Sequence, residues 1–210
     1  MKALIIANGL APTKTIARRL AGMADLVVCA DGGANHAARL GIRPDVILGD
    51  LDSMTAATAR TFRSVPTLLV RDQYSTDLEK AIRYALGRRY AEIDVLGATG
   101  RRIDHTAGNL GCFRRFGSRC TLRFVDDEGE LSMVRNKAVV EAEKGEIFSL
   151  IPLDRCTGVT TANLRYGLTN GVLELGVREG TSNRAIARTV TISLKKGTLL
   201  LFRPHCSRRA

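Results

Sequence analysis

A chain of 210 residues that is 45% hydrophobic can bury a substantial core and suits one large domain or two small ones, which argues against a disordered chain. Its net charge of +11 is spread over separated pairs such as Arg18-Arg19, Arg88-Arg89 and Arg114-Arg115, with little aromatic interleaving. That pattern argues against a nucleic-acid partner and fits a basic surface that attracts small anions. The apolar runs are too short to span a bilayer, the first residues lack a secretory signal, and the five cysteines show no CxxC spacing. A cytoplasmic location with reduced thiols is expected.

In chain order, strands are predicted at Lys2 to Ala7, Leu26 to Ala30, Asp45 to Leu48, Thr67 to Val70, Glu92 to Leu96 and Thr121 to Val125. Helical stretches lie between them near Thr13 to Ala21, Asn35 to Leu40, Thr76 to Gly87 and His105 to Phe116. The alternation predicts an α/β domain built on an open, mostly parallel sheet. After Asp126-Asp127-Glu128-Gly129-Glu130 the texture changes to β-branched runs with turn signals at Asn170-Gly171 and Lys196-Gly197. The expectation is a first domain over residues 1–127 and a smaller antiparallel β-sandwich over 128–210.

Ligands of open parallel sheets gather at the carboxyl ends of the strands, and polar loops fall there four times in succession. Asp31-Gly32-Gly33-Ala34-Asn35 follows the second strand, where glycines permit close backbone approach, although Asn35 could equally cap a helix. Gly49-Asp50-Leu51-Asp52-Ser53 follows the third. If extended geometry persists, Asp50 and Asp52 project to one side and can hold a hard cation such as Mg2+, with Asp77 as a third acid. A solvated acidic turn is the plainer alternative.

Thr76-Asp77-Leu78-Glu79 fits a capping box, and the same helix start offers amides to phosphate. Gly97-Ala98-Thr99-Gly100-Arg101-Arg102-Ile103-Asp104-His105 joins flexible backbone to guanidinium groups suited to phosphate, without the lysine of a Walker loop. His105 is open between a helix-start residue and a ligand contact. The late Gly180-Thr181-Ser182-Asn183 reads alone as a turn.

Taken together and in order, ADGGANH, PDVILGDLDS, DQYSTDLEKAI, GATGRRIDHTAGNL and GTSNR resemble the thiamine pyrophosphokinase family over nearly the whole chain. The resemblance implies Mg2+-dependent transfer of a pyrophosphoryl group from ATP to thiamine, giving thiamine diphosphate and AMP. It implies Asp50, Asp52 and Asp77 as magnesium-binding, catalytic acids and Asp31, Gly32, Gly33 and Asn35 near the triphosphate. Gly97, Thr99, Arg102, Asp104 and His105 fall in the ATP loop, and Gln73, Thr76, Ser182 and Asn183 fall on the thiamine side. It also implies a homodimer, with thiamine between the first domain of one subunit and the second of its partner. Two departures stand out: Arg101 occupies the position of a common second glycine, and the chain has no Trp to cover thiamine.

Overall fold

The computed structural model describes residues 1–72 and 74–205. They form two units, Met1–Cys112 with Arg119–Asp127, and Phe113–Ser118 with the residues from Glu128 onward.

The first unit runs β1 (Lys2–Ile6), α1 (Lys14–Gly22), β2 (Leu26–Ala30), α2 (Gly33–Leu40), β3 (Val46–Gly49), α3 (Ala56–Thr61), β4 (Thr67–Leu69), α4 (Asp77–Gly87), β5 (Glu92–Leu96), α5 (Ile103–Phe116) and β6 (Thr121–Val125). Residues of α5 beyond Cys112 fall in the second unit. The six strands pair in parallel in the order β6-β5-β1-β2-β3-β4, the open α/β sheet expected. Parallel strands covered on both faces need continuous apolar runs, and β2 is buried at every position. Leu4, Ile6, Val27, Cys29, Ile47 and Leu96 share a core with Ala17 and Leu20 of α1 and Ala34, Ala37 and Leu40 of α2.

Chain order reverses at β1, which has β2 on one side and β5 on the other. Such a reversal opens a crevice at the carboxyl ends of the two central strands. Near their middle, Asp94 of β5 is 2% exposed. It accepts two bonds from Arg123 of β6, at 2.7 and 2.8 Å, and pairs with Lys2 Nζ of β1 at 2.8 Å.

Two local expectations change. Helix α2 starts at Gly33, so Asn35 lies inside it and does not cap it. Helix α3 is an addition, begun by Thr55, whose hydroxyl accepts the Thr58 N–H at 3.2 Å.

The second unit contains β7 (Gly129–Val134), β8 (Lys137–Glu141), β9 (Ile147–Pro152), β10 (Cys156–Ala162), β11 (Gly171–Leu173), β12 (Gly180–Arg184), β13 (Thr189–Ser193) and β14 (Leu199–Pro204). Antiparallel pairing gives two layers, β12-β9-β14-β7 and β11-β10-β13-β8. Phe148, Leu150, Leu199 and Leu201 from the first layer meet Cys156, Val159, Val190 and Ile192 from the second, as in a β-sandwich.

The segment Gly180 to Asn183, which reads alone as a turn, is strand β12 paired with β9. Its pairing slips between Gly180 and Asn183, and Ser182 has φ +56°, so the turn-like composition encodes a bulge. Among the described residues, Cys29, Cys112, Cys120 and Cys156 are buried, and no helix is long and apolar enough to cross a membrane.

Candidate active site

The ends of β1, β2 and β5 border a cleft of about 400 Å3, lined by Asn8 and Gly9, Asp31, Asp77, Arg101 and Arg102 among others. Its floor forms because loop backbones pack without intervening side chains. Gly9 N–H donates to Gly97 O at 2.7 Å and Leu10 N–H to Thr99 O at 2.8 Å. A β-carbon on Gly33 would lie 1.9 Å from Ile6 O, so the start of α2 can sit against the end of β1 only as glycine.

At one side of the cleft, carboxylate oxygens of Asp31, Asp50 and Asp77 lie within 4.8 Å of one another. Each is delivered by a different strand end or helix start. Asp31 follows β2 with φ +43°, and its N–H donates to Leu48 O at 2.6 Å. Asp50 follows β3, and Asp77 opens α4, where the Thr76 hydroxyl caps the Glu79 N–H at 3.3 Å. Asp31 is 4% exposed, and its Oδ1 is buried without a hydrogen-bond partner. A buried carboxylate oxygen without a donor is costly unless something positive meets it.

Asp77 is held above the ordinary carboxylate range, first by burial and then by the charges of Asp31 and Asp50, against the lowering pull of Lys80. Three converging carboxylates repel one another when charged, and a cation removes that cost. The donor set is all oxygen, the chemistry of a hard divalent ion.

Asp52 lies outside this group. The extended geometry that would align it with Asp50 stops at Leu51, whose φ is +70°. Asp52 N–H instead donates to Asp50 Oδ1 at 3.4 Å, and Ser53 Oγ donates to Asp52 Oδ1 at 3.0 Å. Asn35 holds this loop from α2, donating from Nδ2 to Ser53 O at 2.8 Å and accepting Thr55 N–H at 3.1 Å. It acts as a strap on the acidic loop.

Across the cleft, Arg102 and Asp104 bind each other in a two-pronged exposed pair, which holds the Asp104 carboxyl down at about 2. His105 lines the cleft, whereas the Thr99 hydroxyl donates to Asp126 at 3.0 Å. Arg101 has φ +57°, a conformation more natural to glycine, and its guanidinium donates to Asn8 O at 3.4 Å. Thr76 also lines the cleft, and Gln73 lies outside the described residues.

In the second unit, Asn183 is buried and its side-chain amide makes three hydrogen bonds. It donates to Tyr166 O at 2.8 Å and accepts the N–H groups of Tyr166 and Arg184 at 3.0 and 2.9 Å. Ser182 is exposed beside it, its N–H donating to Ser149 Oγ at 3.0 Å.

Sequence reasoning missed Asn8, Gly9 and Asn109. Asn109 Nδ2 donates to Ala98 O at 2.8 Å and so fixes the backbone of the loop after β5 to α5. The signal for the first two was present: an Asn-Gly pair directly after an apolar strand at the switch point.

Known proteins share this fold. A family model described as "Thiamin pyrophosphokinase, catalytic domain" matches residues 17–125, and one described as "Thiamin pyrophosphokinase, vitamin B1 binding domain" matches residues 136–199. The chain is similar to thiamine pyrophosphokinase 3 of Oryza sativa subsp. japonica, at 30% identity over 95% of this chain and 85% of the relative. It is 28% identical to thiamine pyrophosphokinase of Bacillus subtilis over 95% of this chain and 96% of that protein. The crystal structure of a Bacillus subtilis thiamine pyrophosphokinase aligns with TM-score 0.84 and 26% identity, covering 97% of this chain and 99% of that one. The yeast thiamin pyrophosphokinase structure shares the fold at TM-score 0.82 and 19% identity, over 97% and 86% of the two chains.

Proposed function

The chain belongs to the thiamine pyrophosphokinase family, and from that premise we propose that its N-terminal cleft binds ATP with magnesium for transfer of the pyrophosphoryl group to thiamine. The products are thiamine diphosphate and AMP. The enzyme class follows from family membership. The location of the chemistry is our reading, and the observation that carries it is the acid trio, Asp31, Asp50 and Asp77, beside a nucleotide-sized cleft, with Asp31 Oδ1 buried and unpartnered.

These residues fit a magnesium ion: the donors are hard oxygens, their mutual repulsion calls for a cation, and one oxygen lacks any other partner. Asp50 and Asp77 would hold it as the family resemblance implies, with Asp31 added by the geometry and Asp52 in support from the same loop. When bound, the ion would neutralise charge on the phosphate oxygens.

The chain's own groups supply the rest. Arg101 and Arg102 bring positive charge to the opposite wall, and the amides at the start of α4 favour an anion. Backbone from Gly9 and Gly97 offers a surface that a phosphate chain can approach closely. Phosphoryl transfer depends mainly on positioning and charge stabilisation, so Asp77 serves in cation binding and is not required as a base. Thiamine's hydroxyl attacks the β-phosphorus in line with departing AMP.

On the acceptor side, Thr76 of the first unit and Ser182 of the second are the proposed thiamine contacts, with Asn183 shaping the backbone around Ser182. Gln73 belongs to the same proposal through the family resemblance. So do the homodimer, with thiamine between the first unit of one subunit and the second unit of its partner, and the cytoplasmic location. Exposed apolar side chains on the second unit, including Leu175 and Val177, support self-association.

An end-point assay with purified protein, ATP, magnesium and thiamine tests the reading. AMP and thiamine diphosphate should form in equal amounts, and absence of both would overturn it. Asp50→Asn should remove most turnover while keeping the folded circular-dichroism spectrum; near-normal turnover would exclude Asp50 from the site.

A further inference from the structure

A cationic side chain also reaches the acid trio. Lys80 lies one turn into α4, and its side chain is only 7% exposed. Its Nζ pairs with Asp77 Oδ1 at 2.9 Å.

Helix stability does not explain a lysine there. The first turn of a helix carries positive partial charge, so an ammonium at that end opposes the helix dipole. Burial also strips water from the ammonium, which is unfavourable unless an anion replaces it. An exposed i,i+3 pair would be ordinary helix decoration, but this lysine is buried with the face of α4 that carries Leu78, Ala81 and Ile82. The compensating anion is Asp77 at the start of the same helix, and Asp77 is itself grouped with Asp31 and Asp50 from other strand ends. Fully ionised, the three acids and Lys80 carry a net charge of two minus, the complement of one divalent cation.

We propose that Lys80 is the resident counter-ion of the acid trio. Its ammonium competes with a divalent cation for Asp77, holds the metal-free cleft together and lowers its affinity for free metal. Metal is then retained chiefly when it arrives with a polyphosphate that supplies further oxygen ligands. This rests on the trio being the metal site, as read above.

The test uses the full-length protein and manganese chloride alone, by calorimetric titration, with melting curves in EDTA and in magnesium. Lys80→Met keeps the length of the stem and removes the charge. It should bind manganese about tenfold more tightly, the scale of removing one nearby charge in a partly screened site. Its melting temperature should fall below that of the parent in EDTA and recover towards it in magnesium. Lys80→Arg keeps the charge and should restore both parental values.

Unchanged or weaker manganese binding by Lys80→Met would overturn the proposal, as would an equal loss of melting temperature in both media or failure to fold in both. A variant that folds only with magnesium would support it. If the parent protein itself binds no manganese, the metal site falls and this proposal falls with it. Parental binding with no change in the variant overturns the counter-ion role alone.

Discussion

Gly49 lies so close to Asp31 that a β-carbon on it would sit 2.8 Å from the Asp31 β-carbon. Its φ of +147° is also one that side chains rarely adopt. The ends of β2 and β3 are pressed together there, and this contact helps deliver Asp31 to Asp50. Gly49→Ala should therefore cost about 1–3 kcal/mol in denaturant unfolding, from combined strain and overpacking. Manganese affinity should fall with it. Parental stability and affinity in the variant would show that the close approach is dispensable.

The raised pKa of Asp77 has a definite sign in metal-free protein. A carboxyl whose folded pKa exceeds its unfolded value binds a proton more readily when folded. Its contribution to stability is present at low pH and is lost as pH rises through the window between the two values. In EDTA, the unfolding free energy of the parent minus that of Asp77→Asn should decline as pH climbs above the ordinary carboxylate value. A difference that grows with pH would mean that Lys80 dominates over burial.

The Arg102–Asp104 pair is exposed, so it contributes little to the fold and is free to reorganise around phosphate. Arg102→Lys should raise the KM for ATP about tenfold, through loss of a two-pronged contact, with an unchanged melting temperature. Steady-state kinetics with varied ATP and a thermal melt check both halves. An unchanged KM would remove Arg102 from the nucleotide loop.

Asn183 grips the N–H and C=O of Tyr166 at once. Asn183→Ala leaves part-buried polar backbone unpaired and should cost about 1 kcal/mol by chemical denaturation. The KM for thiamine should rise because Ser182 loses its support. A stable variant with an altered thiamine KM would instead indicate direct contact by the amide.

The strands of the first unit were legible because a parallel sheet writes itself as short, unbroken apolar runs, as in Leu26 to Ala30. The acids at strand ends were visible for the same reason. What periodicity could not carry was the path of the loops. The left-handed residue Leu51 turns Asp52 away from Asp50, and the positive φ of Asp31 helps bring its carboxylate into the group. Both depend on contacts between separate strand ends. Strand β12 was hidden because its bulge gives it the composition of a turn, and α3 because six residues are too few for a periodic signal.

The triad of Asp94, Arg123 and Lys2 bears on how the sheet finds its alignment. Asp94 sits opposite Leu4 on one side and Arg123 on the other. A slip of β5 by one residue would carry the carboxylate to the opposite face, away from both cations. Buried ion pairs often add little net stability over apolar replacements, yet an isolated buried charge is severely unfavourable. The triad therefore acts as a key that admits one alignment of three strands: an apolar substitute could match its strength while letting more refolding molecules commit to the wrong partner spacing.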